Sequence, residues 1–284
     1  MKTILITGIN GFLGSNLAKL FKPDYNIVGL EISTKNLIRL QGETFPVYEA
    51  NDAGLDKLFA EQKIDSIIYA ATLYGRNGES KQQLLQANLL APLNLLEKAI
   101  ENKVEYFINT DTVLDRYTSI YSLTKKQFTD WLKHRQNEIK IVNMPLEHFY
   151  GPECPDTNFI SLMAKRLLAN EPEIALTKGE PQRNFVYFTD LIEAYKLVVN
   201  KLEGLQGNFN EFEVSTTELI SIRELMLTLK TLTGSSTTLN FGAIPYRPNE
   251  LMKSEVDNSA MIALGWKPKV NITEGLKLTV EKMK

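Results

Sequence analysis

Tyr121 and Lys125 stand four residues apart in "SIYSLTKKQF", a spacing that puts both side chains on one face of a helix. A free phenol, with a pKa of about 10, exchanges protons poorly near neutral pH. A neighbouring ammonium favours the phenolate and lowers that value. The pair would then serve as general acid and base toward an alcohol or carbonyl oxygen. Thr110 ends the apolar run "VEYFINT", at the carboxyl end of an expected strand, where open α/β sheets bind ligands. Its hydroxyl can hold the same oxygen. The chemistry that suits the three is proton transfer coupled to hydride transfer at a carbinol carbon.

Hydride chemistry needs a nicotinamide, and the N-terminus offers a place for one. In "TILITGINGFLGSNL", Gly8, Gly11 and Gly14 follow an apolar stretch and open a helical one. Glycines there allow a tight turn and close approach of backbone to a pyrophosphate. The N–H groups and dipole of the helix N-terminus hold the anion. The spacing is GxxGxxG rather than GxGxxG. Glu31 ends the next strand, about 20 residues on, as an acid that binds the adenosine ribose would. Such a carboxylate accepts from the ribose hydroxyls and repels a 2′-phosphate, which favours NAD(H). Lys35 and Arg39 follow on an expected basic helix and leave NADP(H) open. Asp52 either reaches the adenine or caps the helix that begins "AGLDKLF".

Taken singly, these features have plainer readings: an empty glycine turn, a solvated acid, a surface Tyr–Lys pair worth little. Their order on successive units argues for the site. Apolar runs at 3–7, 26–31, 45–50, 65–71, 104–110 and 139–144 read as strands. Helical periodicity marks 12–21, 55–62, 81–102 and 119–136, with a kink at Pro92. That alternation predicts an α/β fold, a Rossmann-like doubly wound parallel sheet with helices on both faces. Beyond Pro145 the pattern loosens. The expected division is 1–145 with about 184–210 as the dinucleotide-binding domain, and 146–183 with 211–284 as a smaller C-terminal lobe that binds substrate.

Composition narrows the field. The 284 residues are 43% hydrophobic, enough for a large core, and the net charge of -2 gives no general attraction to nucleic acid or anionic membrane. One cysteine, Cys154, forms no internal disulfide, in keeping with a reducing cytoplasm. With only two histidines a zinc site is not expected. Neither a signal peptide nor a membrane span is expected.

The ordered set resembles the extended short-chain dehydrogenase/reductase family of NAD-dependent nucleotide-sugar epimerases, dehydratases and reductases. "TGINGFLG" is similar to the family's cofactor loop and "DSIIYAA" to its fourth strand. The resemblance implies cofactor contacts for Phe12, Leu13, Ala70, Ala71, Asn88 and His148, the last from "EHFYGP". It also implies that Lys125 bonds the nicotinamide ribose. "RNFVYFTDL", "YRPNE" and "LGWKPK" resemble the family's second lobe, with Arg183 and Arg247 clamping a nucleoside diphosphate. Helices 81–102 and 119–136 would pair in a homodimer.

Within the family the likeness is greatest to nucleotide-sugar 4-ketoreductases of the CDP-abequose and CDP-paratose synthase kind. "LYGRNGES", "LEHFYG", "QRNFVYFTDLIEA" and "NELM" carry it, and they imply substrate contacts for Tyr74, Arg76, Asp111 and His148. Two departures matter. "VLD" replaces the usual VYG after Thr112, and Thr112 replaces the glutamate that 4,6-dehydratases need. An NAD(P)-dependent 4-ketoreductase of a nucleoside-diphosphate sugar, serving polysaccharide biosynthesis, is therefore expected. The alternatives are a 4-epimerase or 4-oxidase that retains NAD, which Glu31 favours, and a non-catalytic dinucleotide-binding protein.

Overall fold

The computed structural model describes residues 1–247 and 250–284. Pro248 and Asn249, within the "YRPNE" and "NELM" stretches, lie outside the described residues. The chain divides into two units, Met1–Leu146 with Tyr195–Phe212, and Glu147–Ala194 with Glu213–Lys284. Residues 184–194 thus belong to the second unit rather than the first.

The first unit begins β1 (Thr3–Thr7), α1 (Phe12–Phe21), β2 (Asn26–Glu31), β3 (Val47–Glu49), α2 (Asp52–Glu61) and β4 (Ser66–Tyr69). It continues α3 (Lys81–Leu85), α4 (Ala91–Glu101), β5 (Tyr106–Thr112), α5 (Ile120–Arg135) and β6 (Lys140–Leu146). Among the described residues its sheet has seven strands, closed by Phe209–Glu211 beside β6. Every pairing is parallel. From β1 the chain builds β2 and β3 to one side, then β4, β5 and β6 to the other. The order therefore reverses between β1 and β4, the switch point at which such sheets bind ligands. Strand residues Leu5, Val28, Ile67, Phe107 and Ile141 pack with Leu95, Leu96, Phe128 and Leu132 of the helices in one apolar core.

Three local features differ from the sequence expectation. The basic stretch after β2 is a single 3₁₀ turn, Ile38–Leu40. Asn10 draws it onto the glycine loop instead: its Nδ2 donates to Asn36 O at 3.1 Å and its Oδ1 accepts from Arg39 N at 3.0 Å. β5 runs two residues past Thr110, paired with β6 out to Leu146, so Thr110 lies inside the ladder opposite Met144. The long helix breaks not at a simple kink but at a π segment, Gln86–Leu90.

The second unit contains β7 (His148–Tyr150), α6 (Phe159–Leu168), β8 (Glu173–Leu176), β9 (Gln182–Arg183) and β10 (Phe185–Tyr187). α7 (Phe188–Lys201) begins in this unit and ends in the first. β11 (Phe209–Glu211) is the seventh strand already described. Next come β12 (Ile220–Ser221), α8 (Ile222–Thr233), β13 (Thr238–Phe241), α9 (Ser259–Leu264) and α10 (Ile272–Met283). Small two-stranded pairings, β7 with β10, β8 with β13 and β9 with β12, surround a separate core that includes Tyr150, Ile160, Leu167, Leu225, Leu229 and Leu276.

Candidate active site

The turn after β1 is built by backbone contact. Gly8 has φ +61°, a left-handed conformation costly for any residue with a Cβ. A Cβ on Gly14 would lie 2.2 Å from Gly8 O, so α1 closes directly onto the loop. α1 opens at Gly11 without a side-chain cap, which leaves its first turn as a natural anion seat. Phe12 and Leu13 are buried beneath it. Ala70 N and Ala71 N both donate to Thr7 Oγ1 at 3.0 Å, bringing the end of β4 beside the glycines. Glu31 reaches back over the loop, its Oε2 accepting from Asn10 N at 3.0 Å. A carboxylate so placed still has lone pairs for ribose hydroxyls.

Asp52 is not the cap of α2, and Asn88 has a structural task. The cap of α2 is Asn51, which accepts from Gly54 N, while Asp52 accepts from Asn94 Nδ2 at 2.8 Å. Asn88 is wholly buried in the π segment. Its Oδ1 accepts from Leu73 N at 2.9 Å and from the Thr72 hydroxyl at 3.2 Å, and its Nδ2 donates to Leu73 O at 2.8 Å. These bonds make it the clamp of the 72–74 loop rather than a group turned to the cofactor.

The π segment has a chemical cause. Pro92 lacks an N–H, so the Ala87 and Asn88 carbonyls lose a helical donor there. Ala91 N reaches back five residues to Gln86 O. The Tyr69 hydroxyl supplies Ala87 O with a bond of 3.1 Å. That bond fixes the Tyr69 ring, and Lys125 Nζ lies 5.5 Å from the ring's centroid.

Lys125 is 1% exposed. Burial lowers its pKa to about 8, against the raising effect of Asp111. Among the described residues no side chain hydrogen-bonds its ammonium. A buried cation left in this state suits a ligand hydroxyl, which is the fit expected for a nicotinamide ribose. Tyr121, also on α5, is pushed well above its ordinary value, by burial first and then by the charges of Tyr74 and Asp111. The Thr112 and Thr72 hydroxyls act in the opposite direction. This corrects the expectation of a phenol acidified by its lysine: in the free protein, desolvation dominates. The Thr112 and Thr72 hydroxyls therefore meet Tyr121, which shares α5 with Lys125. Thr110 stands two residues before Thr112 on β5, with its hydroxyl on Tyr195.

Tyr74 packs against Tyr121 with the rings tilted by 40° and centroids 5.0 Å apart, and the Arg76 guanidinium lies 5.1 Å from the Tyr74 centroid. These two expected substrate contacts therefore lie beside Tyr121. Asp111 is 2% exposed, and its Oδ2 accepts from Lys126 Nζ at 2.9 Å, Thr129 Oγ1 at 3.0 Å and Asn143 Nδ2 at 3.1 Å. Burial alone would raise its carboxyl, but Lys126 and Lys125 outweigh that and hold it below the usual range. Through Oδ2 Asp111 anchors α5 to the sheet, while its buried Oδ1 has no hydrogen-bond partner among the described residues.

In the second unit His148 Nδ1 lies 3.0 Å from Glu147 Oε2, a buried carboxylate. Arg183 pairs with Glu250 at 2.7 Å, and Glu250 N donates to Arg247 O at 3.1 Å. Arg183 thus holds the Glu250 carboxylate and its guanidinium is largely enclosed, whereas Arg247 meets Glu250 through backbone alone and is exposed. Asp190 accepts from Lys269 N and Val270 N, both at 2.9 Å, linking "FTDL" to "GWKPK" as a structural joint.

Thr72 and Tyr195 escaped the sequence reading. Thr72 carries no local signal. Tyr195 lies in an ordinary amphipathic helix, 85 residues from its partner Thr110.

A doubly wound parallel sheet with an uncapped glycine turn and a Thr/Tyr/Lys set beside its switch point defines a dinucleotide-binding α/β protein. Residues 4–210 match the NAD dependent epimerase/dehydratase family, and the chain belongs to that family. It is 28% identical to the CDP-abequose synthase of Salmonella typhimurium, over 99% of this chain and 98% of that one. It is 28% identical to human dTDP-D-glucose 4,6-dehydratase, over 99% of this chain and 89% of the relative. Among solved structures, the UDP-glucose 4-epimerase of Thermotoga maritima superposes with a TM-score of 0.86 at 24% identity, covering 99% and 98% of the two chains. The UDP-glucuronic acid 4-epimerase of Bacillus cereus, in complex with UDP-glucuronic acid and NAD, gives 0.85 at 24%, covering 99% and 98%. These structural likenesses are likenesses of fold.

Proposed function

We propose that the protein is an NADH-dependent 4-ketoreductase of a nucleoside-diphosphate sugar, acting on a 4-keto (deoxy)sugar nucleotide. One arrangement carries the reading: Tyr121 stands on α5 one turn before the buried Lys125, beside the Thr112 and Thr72 hydroxyls, and burial raises its phenol. A phenol that keeps its proton near neutral pH is set to give it up to developing alkoxide charge. NAD(H), held by Gly8, Gly11, Gly14, Glu31 and Lys125, supplies the hydride. Thr110 hydrogen-bonds the C4 oxygen, Tyr121 donates the proton to it, and Lys125 stabilises the phenolate left behind. Tyr74 and Arg76 flank the sugar. Arg183 and Arg247 hold the diphosphate once Glu250 yields, and His148 borders it. The full-length likeness to CDP-abequose synthase supports this reading, as does a threonine at position 112 instead of an acid.

The test is incubation with 4-keto-6-deoxy sugars carrying CDP, GDP, UDP or dTDP, with NADH or NADPH. Oxidation of the cofactor by one of them is expected. Absence of oxidation with all four would overturn the proposal. A second reading, a 4-epimerase that retains NAD, draws on Glu31 and its place over the glycine loop. Protein purified with stoichiometric NAD(H) that resists exchange would favour it. For association we propose a homodimer through the helices of 81–102 and 119–136, where Leu85, Leu90, Ile120 and Trp131 expose apolar surface. Light scattering at the monomer mass would exclude it.

A further inference from the structure

The hydroxyl that the proposed reaction assigns to the C4 oxygen already has a partner. Thr110 Oγ1 and the Tyr195 hydroxyl are 2.6 Å apart. Tyr195 is 0% exposed, and among the described residues this is its one hydrogen bond. A buried phenol needs such a bond, but geometry alone leaves the direction open.

Chemistry decides it. A phenol is a far stronger hydrogen-bond acid than an aliphatic alcohol, so the shared hydrogen belongs to Tyr195. Burial pushes this phenol above its ordinary value, so it remains a donor across the neutral range. Thr110 Oγ1 has one hydrogen and two lone pairs. With a lone pair taken, its own hydrogen is left for another acceptor, and a hydroxyl that accepts a bond donates a stronger one.

We propose that Tyr195 is a positioning residue: it donates to Thr110 Oγ1 and thereby commits the Thr110 hydrogen to the oxygen of the sugar's reacting carbon. The inference rests on the reading of Thr110 given above. No bond is made or broken at Tyr195. In reduction, the C4 oxygen meets two donors, Thr110, which keeps its hydrogen, and Tyr121, which transfers one.

The test is a double-mutant cycle of Tyr195→Phe and Thr110→Val, measured by steady-state kinetics and by melting of the ligand-free protein. Y195F is expected to lower kcat about 5-fold, the size of one ordinary net hydrogen bond, with KM nearly unchanged. T110V should lower kcat about 100-fold, as loss of an oxyanion donor does, and adding Y195F to it should cost nothing further. Thr110→Ser, which keeps the hydroxyl, should restore the sensitivity to Y195F. In melting, T110V should fall below T110V/Y195F, because only the first leaves a buried phenol without a partner. Independent, multiplicative losses in kcat would overturn the inference while leaving the reaction intact, as would equal melting of those two variants. Wild-type protein that turns over no sugar nucleotide would overturn the reaction and the inference together.

Discussion

Asn88 grips both backbone groups of Leu73, accepting from its N–H at 2.9 Å and donating to its carbonyl at 2.8 Å. Its place in the π segment lets one buried amide hold Leu73, whose neighbour Tyr74 packs its ring against Tyr121. Asn88→Ala should therefore cost about 2 kcal/mol in urea unfolding, because it leaves buried backbone groups unpaired. It should also lower turnover without touching any atom of the site. A variant as stable as the parent would show that water replaces the clamp.

The free protein holds Lys125 against its solvation. Its folded pKa of about 8 lies below the ordinary lysine value of 10.5. Below pH 8 the ammonium is charged in both states and its burial weakens the fold. Between about 8 and 10.5 the unfolded chain binds the extra proton, so this contribution to stability rises with pH. Lys125→Met should then be more stable than the parent at pH 7, by up to about 3 kcal/mol, with the gap closing as pH rises toward 10. Denaturation at pH 7 and 9.5 checks the sign. The same variant should lose turnover.

Tyr121→Phe should reduce turnover by about 10²- to 10⁴-fold, the range for a general acid, while NADH still binds by fluorescence titration. Unchanged biological activity would point to a dinucleotide-binding protein without chemistry.

Glu31 sets the preference between cofactors. Glu31→Gln removes the charge that repels a 2′-phosphate, and the ratio of kcat/KM for NADPH over NADH should rise about 10-fold, the effect of one screened unit charge. A ratio that does not move would place the discrimination elsewhere on the loop.

What the sequence revealed was local. β1, α1 and β2 follow from short-range periodicity, and the Tyr121–Lys125 spacing survives because one helix carries both. What escaped it depended on distant partners. The 3₁₀ turn at Ile38–Leu40 forms because Asn10 captures its backbone. The structural part of Asp111, its anchoring of α5 to Lys126, Thr129 and Asn143, shows no sign in the sequence. Tyr121 reads as acidified by its neighbour because a sequence does not show how far a phenol is removed from water. Tyr195 meets Thr110 only after the chain has left the first unit and returned.

Five-residue spacing at Gln86–Leu90 accommodates one residue more than a regular coil would hold. Each residue advances a helix by about 100°, so α4 is rotated by roughly that angle from the course α3 sets. Shortening the segment by a single residue would make the coil more regular and yet turn the wrong flank of α4 toward the sheet. The irregularity works as a phase setting, and the rod on either side of it is correct only while the defect stays.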